Sequence, residues 1–235
     1  MAVKHDTLII VPAYNEEESI YLLVNQLKQY ADVCVVNDCS TDQTGNILKT
    51  IQNIHVITHN NNTHIAGTIL DGMEYALSKN YMMAITIDAG FSHNPEELTR
   101  FFGAPSEIDL VIGHRTEKKG TPIYRRCLSF AGNFLYNIGF DFPKSILPRK
   151  YYNDLTSGYR RYSRRSMELL IKRRHEGRMI SKTFDFLIES TMHIYREKYL
   201  ISEVPISYLF TNSSLRKKIV FDCLFFYGKM VSRLH

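Results

Sequence analysis

The sequence predicts an α/β protein: a mostly parallel sheet covered by helices, with further helices toward the C-terminus. Three observations carry that expectation. Short apolar runs rich in Val and Ile alternate with segments of helical periodicity, four of one and three of the other within the first 90 residues. Signatures of helix starts stand between them. Acidic, aromatic and turn-forming residues gather where the runs end, the place where open α/β sheets bind ligands.

Taken in order, Thr7–Val11 is a short continuous run suited to a central strand, and Pro12 is expected to end it. Asn15 with Glu18 three residues on reads as the start of a helix whose buried face is Ile20, Leu23, Val24, Leu27 and Ala31. Val33–Val36 makes a second strand. Ser40 and Gln43 form a capping box before Thr44, Ile47, Leu48 and Ile51. His55–Thr58 makes a third strand and Asn60–Thr63 a loop. A third helix then buries Ala66, Ile69, Leu70, Met73 and Leu77, and Asn80 stops it. Ala84–Asp88 is the fourth strand. After it Asn94 can cap, Pro95 suits a first helical position and Glu97 closes a capping box.

Asp109–Gly113 adds a strand, and a helix from about Ile123 to Ile138 buries Leu128, Ala131, Leu135 and Ile138. Helices around Ser166–Lys172 and Thr183–Tyr195 precede an extended stretch, Leu200–Phe210. Residues 1–215 read as one domain. Residues 216–235 read as an amphipathic helix, with Ile219, Cys223, Phe226, Tyr227, Met230 and Leu234 on one face and basic residues flanking it. Such a helix suits a membrane surface, though packing on the domain or on a second subunit would give the same spacing.

Composition narrows the class. The chain is 44% hydrophobic, and no stretch reaches the length of a membrane span. No signal peptide is read at the N-terminus, and the four cysteines lack metal-ligand spacing, so a cytoplasmic protein with free thiols is expected. The net charge of +5 hides an asymmetry. Residues 1–100 hold five Lys/Arg against twelve Asp/Glu, leaving the rest of the chain strongly basic. A basic half reads either as solvated surface or as a partner for anions. The basic residues are not interleaved with a recognisable nucleic-acid-binding fold, so no nucleic-acid partner is expected.

The chemistry-bearing residues fall in six segments: Val11-Pro-Ala-Tyr-Asn-Glu16, Val36-Asn-Asp-Cys-Ser-Thr-Asp42, Ile87-Asp-Ala-Gly90, Gly113-His-Arg115, Asp154-Leu-Thr-Ser-Gly-Tyr-Arg160 and Glu203-Val-Pro-Ile-Ser207. In that order, from about residue 7 to about residue 210, they resemble an inverting family 2 glycosyltransferase. The nearest branch is the dolichyl-phosphate mannosyltransferase-like one, which moves a sugar from a nucleotide to a polyprenyl phosphate. The resemblance implies a GT-A-like, Rossmann-like fold. It implies that Pro12, Tyr14, Glu16 and Asp38 bind the nucleotide of a GDP- or UDP-linked sugar, and that Ser157 and Arg160 line the site. Asp88, Arg115, Arg126 and Asp154 are the catalytic candidates, with Arg115 and Arg126 serving phosphates by guanidinium forks. Asp42 reads as a helix-terminus residue. Lys118 and Lys119 read as a solvated loop.

Asp154 has two readings. Relatives that glycosylate hydroxyls keep a general base near it, whereas a polyprenyl phosphate is already anionic and needs none. The Thr-Ser-Gly-Tyr-Arg continuation favours a lipid phosphate, with Asp154 shaping the site. The pattern also departs from the family in places. Asn37 stands for an acidic residue, Cys39 and Gln43 for glycines, Thr211 for an arginine, and Asn212-Ser-Ser for a Gly-containing loop. Gly90 replaces the second carboxylate of an Asp-x-Asp pair that serves a divalent cation. One expectation is Mg or Mn at Asp88 with fewer protein ligands than usual, and the alternative is a site that has gone without metal or without activity. His93 is a second candidate, although a lone histidine near a helix start reads first as surface. Three functions follow in order: transfer to a polyprenyl phosphate at the cytoplasmic membrane face, transfer to a saccharide or protein hydroxyl, and non-catalytic nucleotide-sugar binding.

Overall fold

A computed structural model of the chain describes residues 4–119, 133, 134, 137 and 151–209. Seven strands form one sheet: β1 (Lys4–Ala13), β2 (Ala31–Asn37), β3 (His55–Thr58), β4 (Met83–Thr86), β5 (Leu110–Lys119), β6 (Arg160–Ser163) and β7 (Ile201–Leu209). Their order is β3-β2-β1-β4-β6-β5-β7. Only β6 runs against its neighbours, so the sheet is mixed but mostly parallel, as the apolar runs require.

Alternation along β1 divides the core in two. Leu8 and Ile10 pack on one face with α3 (His64–Ser78), α5 (Arg164–His175) and α6 (Asp185–Arg196). Ile9 and Val11 pack on the other with α1 (Ile20–Leu27), Leu48 of α2 (Thr44–Thr50) and α4 (Leu98–Phe102). Both faces of the central strands are therefore covered. Going outward from β1, the chain visits β2 and β3 on one side and β4 on the other. The crevice between the ends of β1 and β4 is the topological switch point of the sheet.

Several local expectations are corrected. β1 runs through Pro12 to Ala13, pairing Pro12 with Val36. The helix expected from Asn15 begins only at Ile20, because Asn15 adopts a left-handed φ of 55° and its Oδ1 accepts from Thr41 N instead. Ala31 opens β2 and is no part of α1. The Ser40–Gln43 box does not form: Ser40 Oγ accepts from Asn15 N, and Asp42 Oδ1 accepts from Thr44 N at the start of α2. Asn94 does cap, accepting from Glu96 N, but it starts a short 3-10 turn (Pro95–Glu97) ahead of α4. Glu97 turns away from that cap to bind Ser207 N and Oγ of β7. Lys118 and Lys119 continue β5, paired with Tyr208 and Leu209, where a loop was expected. Arg126, Thr211 and the helix expected over 216–235 lie outside the described residues, as does most of the helix expected from about Ile123 to Ile138, of which 133, 134 and 137 are described and helical.

Two basic residues are core: Arg160, expected to line the site, and Arg161 beside it. Arg160 is fully buried and donates to the carbonyls of Ser157, Leu155 and Leu187 and to Thr191 Oγ1. Arg161, one residue on and so facing the other side, donates to the carbonyls of Phe101, Ala104 and Pro105. Each ties neighbouring loop and helix backbone to the sheet by donating to carbonyls that have no strand partner. Arg160→Met should lower stability by at least about 3 kcal/mol, since three buried carbonyls each lose a donor. Urea denaturation checks it, and a loss under about 1 kcal/mol would show those carbonyls finding other donors.

Candidate active site

The site is built from strand ends. The loops after β1 and β2 are locked by reciprocal bonds. Thr44 Oγ1 accepts from Glu16 N, Asp42 Oδ2 from Glu17 N, and Glu17 Oε2 from Gln43 N. This fixes Pro12, half-buried, and Tyr14, 49% exposed, along the crevice. Asp42 thus acts at a helix start, as its position suggests.

Asp38 is drawn inward. Its Oδ1 accepts from Thr63 N and Oγ1 and meets His59 Nδ1 at 2.8 Å, while Oδ2 accepts from His64 N. The carboxylate expected to touch the nucleoside is 3% exposed and fastens the start of α3. In this conformation it corrects the expectation of a ligand-facing side chain. The reason is local: His64 has a left-handed φ of 59°, and Thr63, its predecessor, makes no cap of its own.

Asp88 follows β4 directly, across the switch point from Glu16. Its Oδ1 would lie 2.7 Å from a Cβ at position 158, so Gly158 is the residue that lets the two backbones close on the carboxylate. Thr86 Oγ1 donates to Gly158 O at 2.6 Å and holds that approach. His93 is no surface residue: its side chain is 1% exposed, with Nε2 3.4 Å from Asp88 Oδ2. The rings of Tyr159 and Tyr208 pack on it, both with centroids at 5.3 Å. The Asp88 side chain opens 37% to solvent at the foot of the crevice. Burial by the walls raises its pKa, but the His93 hydrogen bond and the charges of His93 and Arg115 outweigh that and hold it below the ordinary carboxylate range.

Arg115, on β5, lies across the crevice. Its Nε and Nη2 form a fork to Asp154 at 2.6 and 2.7 Å, and Nη2 also donates to Thr156 Oγ1. Its guanidinium sits 5.1 Å from the centre of the Tyr208 ring. Burial lowers the Arg115 pKa, and the Asp154 carboxylate more than reverses this. Asp154 is 2% exposed, on a loop held by Glu203 Oε1 at Asn153 N and Asp154 N and by Asn133 Oδ1 at Leu155 N. Asn137 fixes Tyr152 from both sides of its peptide.

The structure therefore brings Glu16, Asp88, Arg115 and Asp154 to one crevice and leaves Ser157 and Arg160 beneath it. Both are fully buried, because Arg160 spends its guanidinium on the loop's carbonyls, Ser157 O among them. Residues whose roles the sequence did not reveal are of two kinds. Asn133, Asn137, Glu203 and Thr156 hold the loop through partners distant in the chain, which no periodicity marks. His93 and Gly158 lay inside quoted segments or beside them, and only burial separates them from turn residues. A cavity of about 630 Å³ opens behind the Phe91–Glu96 turn, toward Gln26, Gln29 and Tyr30. It includes His93 but none of Glu16, Asp88 and Asp154, so cavity size does not locate the chemistry.

A mostly parallel sheet with acidic residues at its switch point and a half-buried guanidinium opposite fits a protein of the nucleotide-sugar transferase class. The chain belongs to a particular family of that class: the family model described as Glycosyl transferase family 2 matches residues 8–201. It is 31% identical over 213 residues, 86% of this chain and 83% of the other, to the undecaprenyl-phosphate mannosyltransferase of Micrococcus luteus. It is 25% identical to the UDP-N-acetylglucosamine–dolichyl-phosphate N-acetylglucosaminyltransferase of Methanococcus voltae, covering 89% of this chain and 88% of that one. In fold it resembles glucosyl-3-phosphoglycerate synthase of Mycobacterium tuberculosis, with a TM-score of 0.69 at 13% identity over 96% of this chain and 80% of that one. Family 2 enzymes of this GT-A fold commonly use a divalent cation.

The Asp88 environment makes a pH prediction. A folded-state pKa below the unfolded value contributes stability above the unfolded pKa, and that contribution is lost as pH falls through the folded pKa. His93→Phe removes a partner that favours the ionised form, so the Asp88 titration and the acid limb of kcat/KM should both move to higher pH. His93→Gln, which keeps a donor, should move them less. NMR titration of the carboxyl carbon checks the first directly, and identical titrations in all three proteins would dissociate His93 from Asp88.

Proposed function

We infer that this protein transfers a sugar from a GDP- or UDP-linked donor to a polyprenyl phosphate, inverting the anomeric centre. The observation that carries the reading is the state of Asp154. Both its oxygens accept hydrogen bonds from Arg115, and one also from Thr156. A carboxylate bound in that way by a guanidinium is a poor proton acceptor, and an anionic acceptor needs none. Both transferases named above carry a polyprenyl phosphate acceptor in their names, which supports the same acceptor here.

In this scheme a phosphate oxygen of the acceptor attacks the anomeric carbon. The bond from that carbon to the donor's diphosphate oxygen breaks, and the nucleoside diphosphate leaves with the electron pair. No proton needs to move. Pro12 and Tyr14 flank the nucleotide. Asp88 faces the donor sugar and its diphosphate, kept ionised by His93 and Arg115. Arg115, fixed by Asp154, holds positive charge where phosphate charge gathers. Its Nη1 makes no hydrogen bond among the described residues. Arg126 is assigned the same task from its sequence position. A divalent cation, Mg or Mn, would supply neutralisation of the leaving diphosphate. The acceptor lipid places the enzyme peripherally at a membrane surface, with residues 216–235 as its candidate contact. Among the described residues no helix is long and apolar enough to cross a membrane.

The test is the full chain with membranes and a panel of labelled GDP- and UDP-sugars, followed by lipid extraction. Label is expected in the organic phase. Label confined to water-soluble glycan would favour the hydroxyl acceptor, and none at all would favour binding without catalysis. Asp154→Asn should slow transfer by about tenfold with the form of the pH profile unchanged. A loss near the 10²–10⁴-fold worth of a general base, together with a lost pH limb, would overturn the phosphate acceptor.

A further inference from the structure

Gly90 removes the carboxylate that the family pattern places two residues after Asp88, yet the space beside it holds another. A Cβ built on Gly90 would lie 3.4 Å from Glu16 Oε2 and 3.6 Å from Oε1. The Glu16 carboxylate thus stands within reach of where a side chain at position 90 would project, and it arrives from a different strand end. Its aim is enforced locally. Ser19, at the start of α1, makes no side-chain cap there, and its hydroxyl instead donates to Glu16 Oε2 at 2.9 Å. A serine at that position ordinarily satisfies the helix start, so its diversion costs local helix stability and favours a fixed carboxylate. Position 90 is two residues from Asp88, so the Glu16 carboxylate enters the space where a second acid of the Asp88 turn would project.

We propose that Glu16 supplies the second carboxylate of the cation site in place of an aspartate at position 90. Asp88 and Glu16 then hold one divalent ion together with the donor's diphosphate, a role that rests on the nucleotide-sugar reading above. Among the described residues no three His, Cys, Asp or Glu converge as a ready-made metal site. Two carboxylates completed by phosphate oxygens and water fit Mg or Mn, which bind in that manner beside substrate phosphates. The consequence is that the ion binds well only with the nucleotide, and that the site's two protein ligands come from β1 and β4 and not from one turn.

The experiment follows Mn²⁺ binding to the full chain by loss of the free-ion EPR signal, with GDP and separately with UDP. Nucleotide binding is measured in parallel by calorimetry. Glu16→Gln should weaken Mn²⁺ binding by about 10–100-fold, in the range for lost metal-site partners. Adding Gly90→Asp to that variant should recover most of the loss, whereas Gly90→Asp alone should gain little beside an intact Glu16. Parent-like Mn²⁺ binding in Glu16→Gln, or no recovery in the double variant, overturns the proposal. Gln preserves the shape and the Ser19 hydrogen bond, so the urea midpoint should stay at or slightly above the parent's. A collapsed midpoint would make Glu16 structural and also overturn it. If a nucleotide binds while Mn²⁺ ignores Glu16, only this assignment fails. If neither nucleotide binds, the donor reading fails with it.

Discussion

The Glu16 carboxylate stands beside Gly90, two residues from Asp88, and much of the surrounding structure answers the like charge of these two acids. The parallel pairing of β1 with β4 sets Glu16 and Asp88 at neighbouring strand ends. Charge of one sign concentrated in a walled crevice is unfavourable unless cations or hydrogen bonds compensate. His93 does so from behind Asp88, Ser19 does so at Glu16, and Arg115 contributes positive charge from across the crevice. Each compensating group is itself held. His93 is wedged between two tyrosines and Arg115 is forked to Asp154, so the field at the strand ends is built in before any ligand arrives.

The same economy governs the loop before β6. Asp154 neutralises Arg115, while Asn133, Asn137 and Glu203 satisfy the backbone around it. Beneath, Arg160 turns a buried guanidinium into a donor for three carbonyls. The segment that resembled a ligand-lining motif is thus divided. Asp154 and Gly158 face the chemistry, and Ser157 and Arg160 support them. A motif read as one functional unit contains both roles because the chain turns through residues 154–159 before entering β6, so some side chains meet the crevice and others the core.

Much of the architecture was legible from pattern. Short Val/Ile runs located β1 to β4, and helical spacing located α1, α2 and α3 to within a few residues. These signals are local, and burial on both faces of the sheet enforces them. Helix starts were read less well. At Asn15, Ser40 and Glu97 a polar side chain with a capping option took a partner from another loop or strand instead. Local capping and long-range bonding have similar free energies, so sequence alone does not rank them.

By itself the sequence determined the fold class, the family resemblance, and the positions of Glu16 and Asp88 just past strand ends, whereas Arg115, expected after a strand end, lies within β5 and Asp154 in the loop before β6. Those follow from periodicity and residue type, which survive without coordinates. Only the tertiary structure decided which carboxylates remain available. Asp38 is consumed by Thr63, His64 and His59, Asp154 by Arg115, and Glu16 is left beside Gly90. Availability depends on partners 20 or more residues away in the chain, brought close by the strand order β2-β1-β4-β6-β5. No one-dimensional pattern encodes that closeness, because it is a property of how the strands are arranged side by side.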